Sequence, residues 1–235
     1  MWIAPVRPLR LGVFVAALVS ATAFIPAKAA NNIGSTVVVV KTVTGELETV
    51  VRQLVLHDGV AQNELISTGA DAASEIDFID GTKLRLGPRA RVTLDKFVYD
   101  PNPGKGAFYL TVSEGVARFA TGNMDHQSYS IATPNGSLGV RGTAFNFVVD
   151  HTHTIVQVVF GDVWGESDDH KEKDYGAGSY FTMEGSTDNS DDDDKTELDL
   201  QVALMDALIN GDHFADLPPQ IPETHPFQTV SPTRP

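Results

Sequence analysis

The sequence predicts an all-β fold, an antiparallel two-sheet sandwich of jelly-roll type with a short β-roll as the alternative, followed by one C-terminal helix. Three observations carry this reading. Short β-type runs recur from Thr36 to Glu184 with turn chemistry between them. Apolar and polar residues alternate in several of these runs, as in Lys83-Leu84-Arg85-Leu86 and Arg91-Val92-Thr93-Leu94-Asp95-Lys96-Phe97, which suits strands with one dry and one wet face. No stretch in this region keeps a helical period, and runs of about 5–8 residues with turn signals every 8–12 or so are the mark of a sandwich, roll or barrel.

Taken in order, the chain opens with Arg7 and Arg10, an apolar run from Leu11 to Ile25 and the small-x-small tripeptide Ala27-Lys28-Ala29. This is the pattern of an export signal over residues 1–29, with the mature chain starting at Ala30. The run is shorter than the roughly 20 residues a membrane-spanning helix needs, and no later stretch is long enough to span. The β domain then covers 30–185. Its runs begin with Val37 to Val43, a turn at Thr44-Gly45-Glu46, and Thr49 to Leu56. Ser74 to Ile79, Thr82 to Leu86 and Ala90 to Tyr99 follow, with Asp80-Gly81 and Gly87-Pro88 between them. The stiff tip Asp100-Pro101-Asn102-Pro103-Gly104 leads to Ala107 to Val112, a turn at Ser113-Glu114-Gly115, and Val116 to Ala120. Tyr129 to Ala132, Thr143 to Asp150, Ile155 to Phe160, Val163 to Glu166 and Gly178 to Met183 complete the series.

Beyond Gly185 the composition shifts to an acidic linker, 186–195, whose run Asp191 to Asp194 resists compaction. Thr196-Glu197-Leu198-Asp199 fits a capping box opening an amphipathic helix over 196–211. Leu198, Val202, Met205 and Ile209 share one helix face, and Asn210-Gly211 ends it. The remainder, 212–235, is Pro-rich and expected to be disordered.

The formal charge is −14, and loss of the signal segment removes three bases and no acid, leaving 14 bases against 31 acids, or −17. Such a chain repels phosphate backbones, so nucleic acid is excluded as a partner. It contains no cysteine, so neither disulfides nor a lipid-modified cysteine hold it in place, and stability rests on packing. The absence of a nucleophile elbow, a phosphate-cradling loop and an evident carboxylate pair argues against an enzyme and against a cofactor.

The most informative segment is Ser130 to Val149, which joins a strand, a Pro-Asn-Gly turn, a glycine-flanked arginine and a second strand. Its Thr133-Pro134 and Gly139-Val140-Arg141-Gly142-Thr143-x-Phe145 elements strongly resemble the signature of the FecR domain family. Gly81 in Asp80-Gly81-Thr82, Gly87-Pro88 and Gly115-Val116-Ala117-Arg118-Phe119 precede it in the family's order, and the likeness covers about 65–166. The resemblance implies a non-enzymatic interaction or sensing module of the cell envelope, exported and periplasmic rather than extracellular, with an envelope protein or glycan as partner. It departs from the family's signalling members, which resemble a cytoplasmic segment, a membrane helix and a sensor in one chain.

Most signature positions are read here as architectural. The glycines supply positive φ where a strand must turn, and Pro134 fixes a corner. Arg141 offers five donors and is expected to tie the hairpin to a carboxylate or to carbonyls, the alternative being a ligand anion. A rival reading is a cupin-like metal protein, because His151 and His153, on alternate residues of a strand, would point to one side. Gln157 stands where that motif needs a carboxylate, and Asp150, Asp168, Asp169 and His170 are possible additions. A further alternative is a glycan-binding module using Tyr99 and Trp164 as stacking platforms.

Overall fold

The structure is a computed structural model that describes residues 32–100, 106–167, 172–184 and 192–210. The expected signal segment, the tip at 101–105, residues 186–191 of the acidic linker and the Pro-rich tail lie outside the described residues. So do Asp168, Asp169 and His170.

The protein is mostly β with one helix. In chain order the strands are β1 (Asn32–Val40), β2 (Val43–Leu47), β3 (Val50–Gln53), β4 (Gly59–Ala61), β5 (Glu64–Thr68), β6 (Ala73–Phe78), β7 (Lys83–Leu86) and β8 (Arg91–Tyr99). After β9 (Gly106–Ala120) and a single 3₁₀ turn (His126–Ser128) come β10 (Tyr129–Thr133), β11 (Gly136–Val149), β12 (His153–Ser167), β13 (Glu172–Gly176) and β14 (Tyr180–Glu184), then helix α1 (Asp192–Asn210). All fourteen strands belong to one hydrogen-bonded sheet whose main path runs β13-β12-β11-β10-β9-β7-β6-β1-β4.

Three long strands make this possible by changing partners halfway. The first half of β9 pairs with β8 and β10, and its second half, from Gly115, pairs with β7 and β11. Likewise β11 pairs with β10 through Gly136–Gly139 and with β9 through Ala144–Val149, and β12 pairs with β14 through His153–Gln157 and with β13 through Asp162–Glu166. The bend in β9 is sharp. Phe108 and Phe119 have ring centroids 5.6 Å apart, whereas a straight strand would hold them about 36 Å apart at roughly 3.3 Å per residue. Phe78 of β6 likewise stacks on Phe97 of β8 at 6.0 Å, although those strands share no ladder. The sheet therefore curls over an aromatic core in which Phe108, Phe119, Phe145 and Phe147 are fully buried, each contributing about 1.5–3 kcal/mol.

Several expectations are corrected. Thr44-Gly45-Glu46 is not a turn but the middle of β2; the hairpin turns at Glu48, which takes φ +57°. Gly45 is small for packing reasons, since a Cβ there would come within 2.1 Å of the buried Glu64 carboxylate. Ser113-Glu114-Gly115 is a corner inside one strand and not a loop between two. The sheet is not wholly antiparallel: Tyr129–Ala132 run parallel to Phe108–Thr111. A parallel pair needs a long crossover, which the second half of β9 and the 3₁₀ turn supply. Helix α1 starts at Asp192, inside the expected linker, and not at Thr196; carboxylates in a first turn are favoured by the helix dipole.

Candidate functional site

The signature region forms a paired corner in β11 and β12. Gly142 (φ +62°) and Gly161 (φ +76°) face each other where the register shifts, and a Cβ on Gly161 would lie 2.3 Å from the Gly142 carbonyl oxygen. Thr143 closes the corner: its hydroxyl donates to the Phe160 carbonyl, and its amide donates to the Thr121 hydroxyl at 3.0 Å. Phe145 is fully buried. Thr133 accepts from the Asn135 amide and donates to the Gly136 carbonyl across the Pro134-Asn135 turn. Gly81 and Gly115 do take positive φ, at +88° and +97°. Gly139 does not turn the chain, in contrast to expectation. It sits in mid-strand under Trp164, whose ring lies 1.9–2.1 Å from where a Cβ would be. Arg141 pairs through its backbone with Asp162, and the role proposed for its side chain lies outside what is described.

The histidine tip does not assemble as the metal reading requires. His151 is exposed in the bend before β12, and only His153 is in the strand. Nδ1 of His153 meets the Thr152 hydroxyl at 2.8 Å and lies 3.4 Å from Asp150. Burial raises the Asp150 carboxyl, but the amides of His153 and Thr152 and the Thr152 hydroxyl outweigh it and hold the group below its usual range. Gln157 is engaged elsewhere, and no group of three metal-ligating side chains occurs among the described residues. Tyr99 is half-buried and packed against the core, and Trp164 is half-buried over Gly139.

The most developed polar constellation lies instead on the outer face of the sheet, under α1. Glu75, Arg85, Arg118, Asn146, Gln157 and Tyr180 stand directly opposite one another on the adjacent strands β6, β7, β9, β11, β12 and β14. Their side chains join in one chain of bonds. Arg85 Nε donates to Glu75 at 2.7 Å, Arg118 Nε to Asn146 Oδ1 at 2.6 Å, and Asn146 Nδ2 to Gln157 Oε1 at 2.6 Å. Gln157 Nε2 donates to the Tyr180 hydroxyl. Two helix carboxylates close the row. Arg118 grips Asp206 with both Nη atoms, at 2.9 and 2.8 Å, and Arg85 adds a bond at 3.2 Å. Tyr180 donates to Asp199 at 2.8 Å; burial, followed by the Asp199 carboxylate, pushes this phenol up to about 12, so it stays protonated and donates.

Two residues along the same strands lies an apolar row. Val116, Val148 and Ile155 pack with Leu198, Val202 and Met205 of the helix, and Thr182 donates to Asp194 at 2.7 Å. Gly87 belongs to this seat, since a Cβ there would meet Met205 at 3.0 Å and Val116 at 2.4 Å. Asp199 and Asp206 are two turns apart, about 10.5 Å along the axis. The three strand spacings from β14 to β9 span about 14 Å, and the length of the Arg118 side chain bridges the difference.

The electrostatics are specific. Arg85 and Arg118 are direct cross-strand neighbours, an arrangement of like charges that is unfavourable without a counter-ion; Asp206 supplies it through a two-pronged contact, among the strongest hydrogen-bond geometries. With all three side chains only 26–30% exposed, Asp206→Asn is expected to cost about 2 kcal/mol, or a melting temperature lower by about 6 °C. A cycle pairing it with Arg118→Gln should show a coupling of about 1–2 kcal/mol. Strictly additive single effects in urea denaturation would show that the contact carries no energy.

Sequence reading placed none of these residues in a common site. Arg85 and Arg118 each look like an ordinary wet-face position, as in Leu84-Arg85-Leu86. The usable signal was Asp206, an acid set within the apolar run from Val202 to Ile209.

Comparison with known proteins agrees with the resemblance read from the signature. Residues 64–164 match the family described as "FecR protein". The match begins at the first residue of β5 and ends within β12, so it contains Glu75, Arg85, Arg118, Asn146 and Gln157 and leaves out Tyr180 and α1. Two crystal structures described as a "putative anti-sigma factor from Parabacteroides distasonis ATCC 8503" are similar at 16% and 17% identity, each with a TM-score of 0.45 and covering 57% of this chain. The aligned region spans 62% of those chains. No curated protein matches.

Proposed function

From the FecR match over 64–164, we propose that the chain is an exported, non-enzymatic interaction or sensing module of the cell envelope, periplasmic in location. The observation that carries this reading is the continuous polar row of the sheet face. Six strands present a linked row of hydrogen-bonding side chains, of which Arg85, Arg118 and Tyr180 bind the helix, and none of them is arranged around a reacting atom. The two sets of ladders, facing each other across the phenylalanine core, act on this reading as the two layers of a sandwich that holds the face rigid. Surfaces borne on a stiff β scaffold suit recognition, and the strong negative charge favours protein or glycan partners over nucleic acid.

Export is tested by expressing the full chain in a bacterium and sequencing the N-terminus of the protein released by osmotic shock. Ala30 as first residue is the expected result, and an intact Met1 in the cytoplasmic fraction would overturn it. The metal reading is tested on untagged protein by elemental analysis. Metal well below one equivalent is expected; stoichiometric metal that disappears with His153→Ala would replace the proposal.

A further inference from the structure

The face under α1 has the chemistry of a receptor site. Arg85 and Arg118 form a carboxylate socket, Val116, Val148 and Ile155 form an apolar seat beside it, and Gly87 keeps the seat open. The receptor residues as far as Gln157 lie within the matched domain, and the helix that fills the face lies outside it. The helix carries six acids and one base and so contributes −5 of the chain's net −14; like charge on the rest of the chain opposes its docking. Its hold on the sheet comprises one apolar cluster, the partly exposed ionic contacts of Asp206, the bonds from Tyr180 to Asp199 and from Thr182 to Asp194, and Lys195 over the Tyr180 ring.

We propose that this face is a docking site for an acidic amphipathic helix of a partner protein, and that α1 is its resident occupant, held in competition with that partner by Asp206. The inference rests on the reading of the chain as an interaction module and names the partner chemistry. The partner helix carries carboxylates at i and i+7, as Asp199 and Asp206 do, with apolar residues at i−1, i+3 and i+6, as Leu198, Val202 and Met205 are. The i+7 carboxylate enters the two-arginine socket; the i carboxylate accepts from Tyr180. Because a tethered helix competes at high effective concentration, the site is closed until α1 is weakened or a tighter helix arrives.

The test uses the purified full chain and a fluorescent peptide of the sequence 192–210 as probe, followed by anisotropy at low salt. Wild-type protein is expected to bind weakly. Asp206→Asn in the chain loosens the resident helix and should tighten peptide binding about thirtyfold, the equivalent of about 2 kcal/mol at about 1.4 kcal/mol per tenfold. Adding Arg118→Gln, or Arg85→Gln if the former does not fold, should abolish the gain, and a peptide with Asp199 and Asp206 changed to asparagine should not bind. Equal binding to wild type and Asp206→Asn, or binding indifferent to both arginines, overturns the proposal. A dimer of the wild-type chain by light scattering also overturns it, assigning the face to a second copy of α1. None of these readouts depends on export, so failure here is separable from failure of the functional reading.

Discussion

A Gly115→Ala chain is expected to melt about 8–16 °C below the wild type, the equivalent of about 4 kcal/mol for a protein of this size. Two independent costs combine. At φ +97° an L-residue is held outside its favoured regions, which costs about 1–3 kcal/mol. The added Cβ would also stand 2.4 Å from the Cα of Ala90, 2.7 Å from its nitrogen and 2.8 Å from the Arg89 carbonyl oxygen. Those neighbours are backbone and cannot rotate away, so the β8 entry and the corner of β9 must move apart. Gly178→Ala separates the two terms, because Gly178 has a similar φ of +84° but nothing within 4 Å. It should lose only about 1–2 kcal/mol. If the two variants melt within a degree of each other, steric closure of the corner plays no part and the bend in β9 is tolerant.

That contrast shows what was legible in the sequence. A glycine following Ser-Glu between two β runs marks a change of direction, and Gly81, Gly115 and Gly142 were read as places needing positive φ. What could not be read is whether the chain leaves the sheet at such a point. At Gly115 the hydrogen bonding continues straight through the corner, so one strand serves two sets of partners, and the parallel pairing of β10 follows from that geometry. The β class was legible because alternation is a property of each strand alone. The polar row was not, because Arg85, Arg118, Asn146 and Gln157 satisfy the same wet-face pattern as any exposed residue. Their union depends on register across strands far apart in the chain, Arg85 and Gln157 being 72 positions apart. Gly139 failed differently: small size for a neighbour's ring and small size for a turn leave the same letter.

The 3₁₀ connection that returns the chain to β10 is fixed by one buried acid, and here the second large effect is expected. Asp80 is fully buried. Its Oδ1 accepts from the Thr82 amide at 3.0 Å, and its Oδ2 accepts from the Thr82 hydroxyl at 2.6 Å and the Tyr129 hydroxyl at 2.9 Å. Each hydroxyl passes the demand on, since Thr82 accepts from the Gly122 amide at 3.1 Å and Tyr129 from the Met124 amide at 3.1 Å. The carboxylate therefore organises five donors from three segments, and these bonds satisfy it where no cation touches it among the described contacts. Asp80→Ala leaves two buried hydroxyls and an amide without their acceptor, at about 1–3 kcal/mol for each unsatisfied group after partial relaxation, for an expected loss of about 4 kcal/mol in urea denaturation. Asp80→Asn keeps one oxygen and should lose about half as much.

Alkali probes the same cluster from the other side. Burial, with a further contribution from the Asp80 carboxylate, pushes Tyr129 up to about 12 against the opposing donors at Thr82 and Met124. The folded state thus holds this proton more tightly than the unfolded chain, whose phenol titrates near 10. The stabilisation is fully present below pH 10 and is lost progressively as pH rises from 10 towards 12, to a total of about 2–3 kcal/mol. Tyr129→Phe should make that part of the stability profile shallower, the remaining slope coming from Tyr180, which is also raised to about 12, while lowering the plateau, because the Met124 amide and Asp80 each lose a partner. A profile between pH 10 and 12 that is equally steep in Tyr129→Phe would mean that the buried phenol is not what titrates, and the account of Asp80 as the acceptor at the centre of this connection would fall with it.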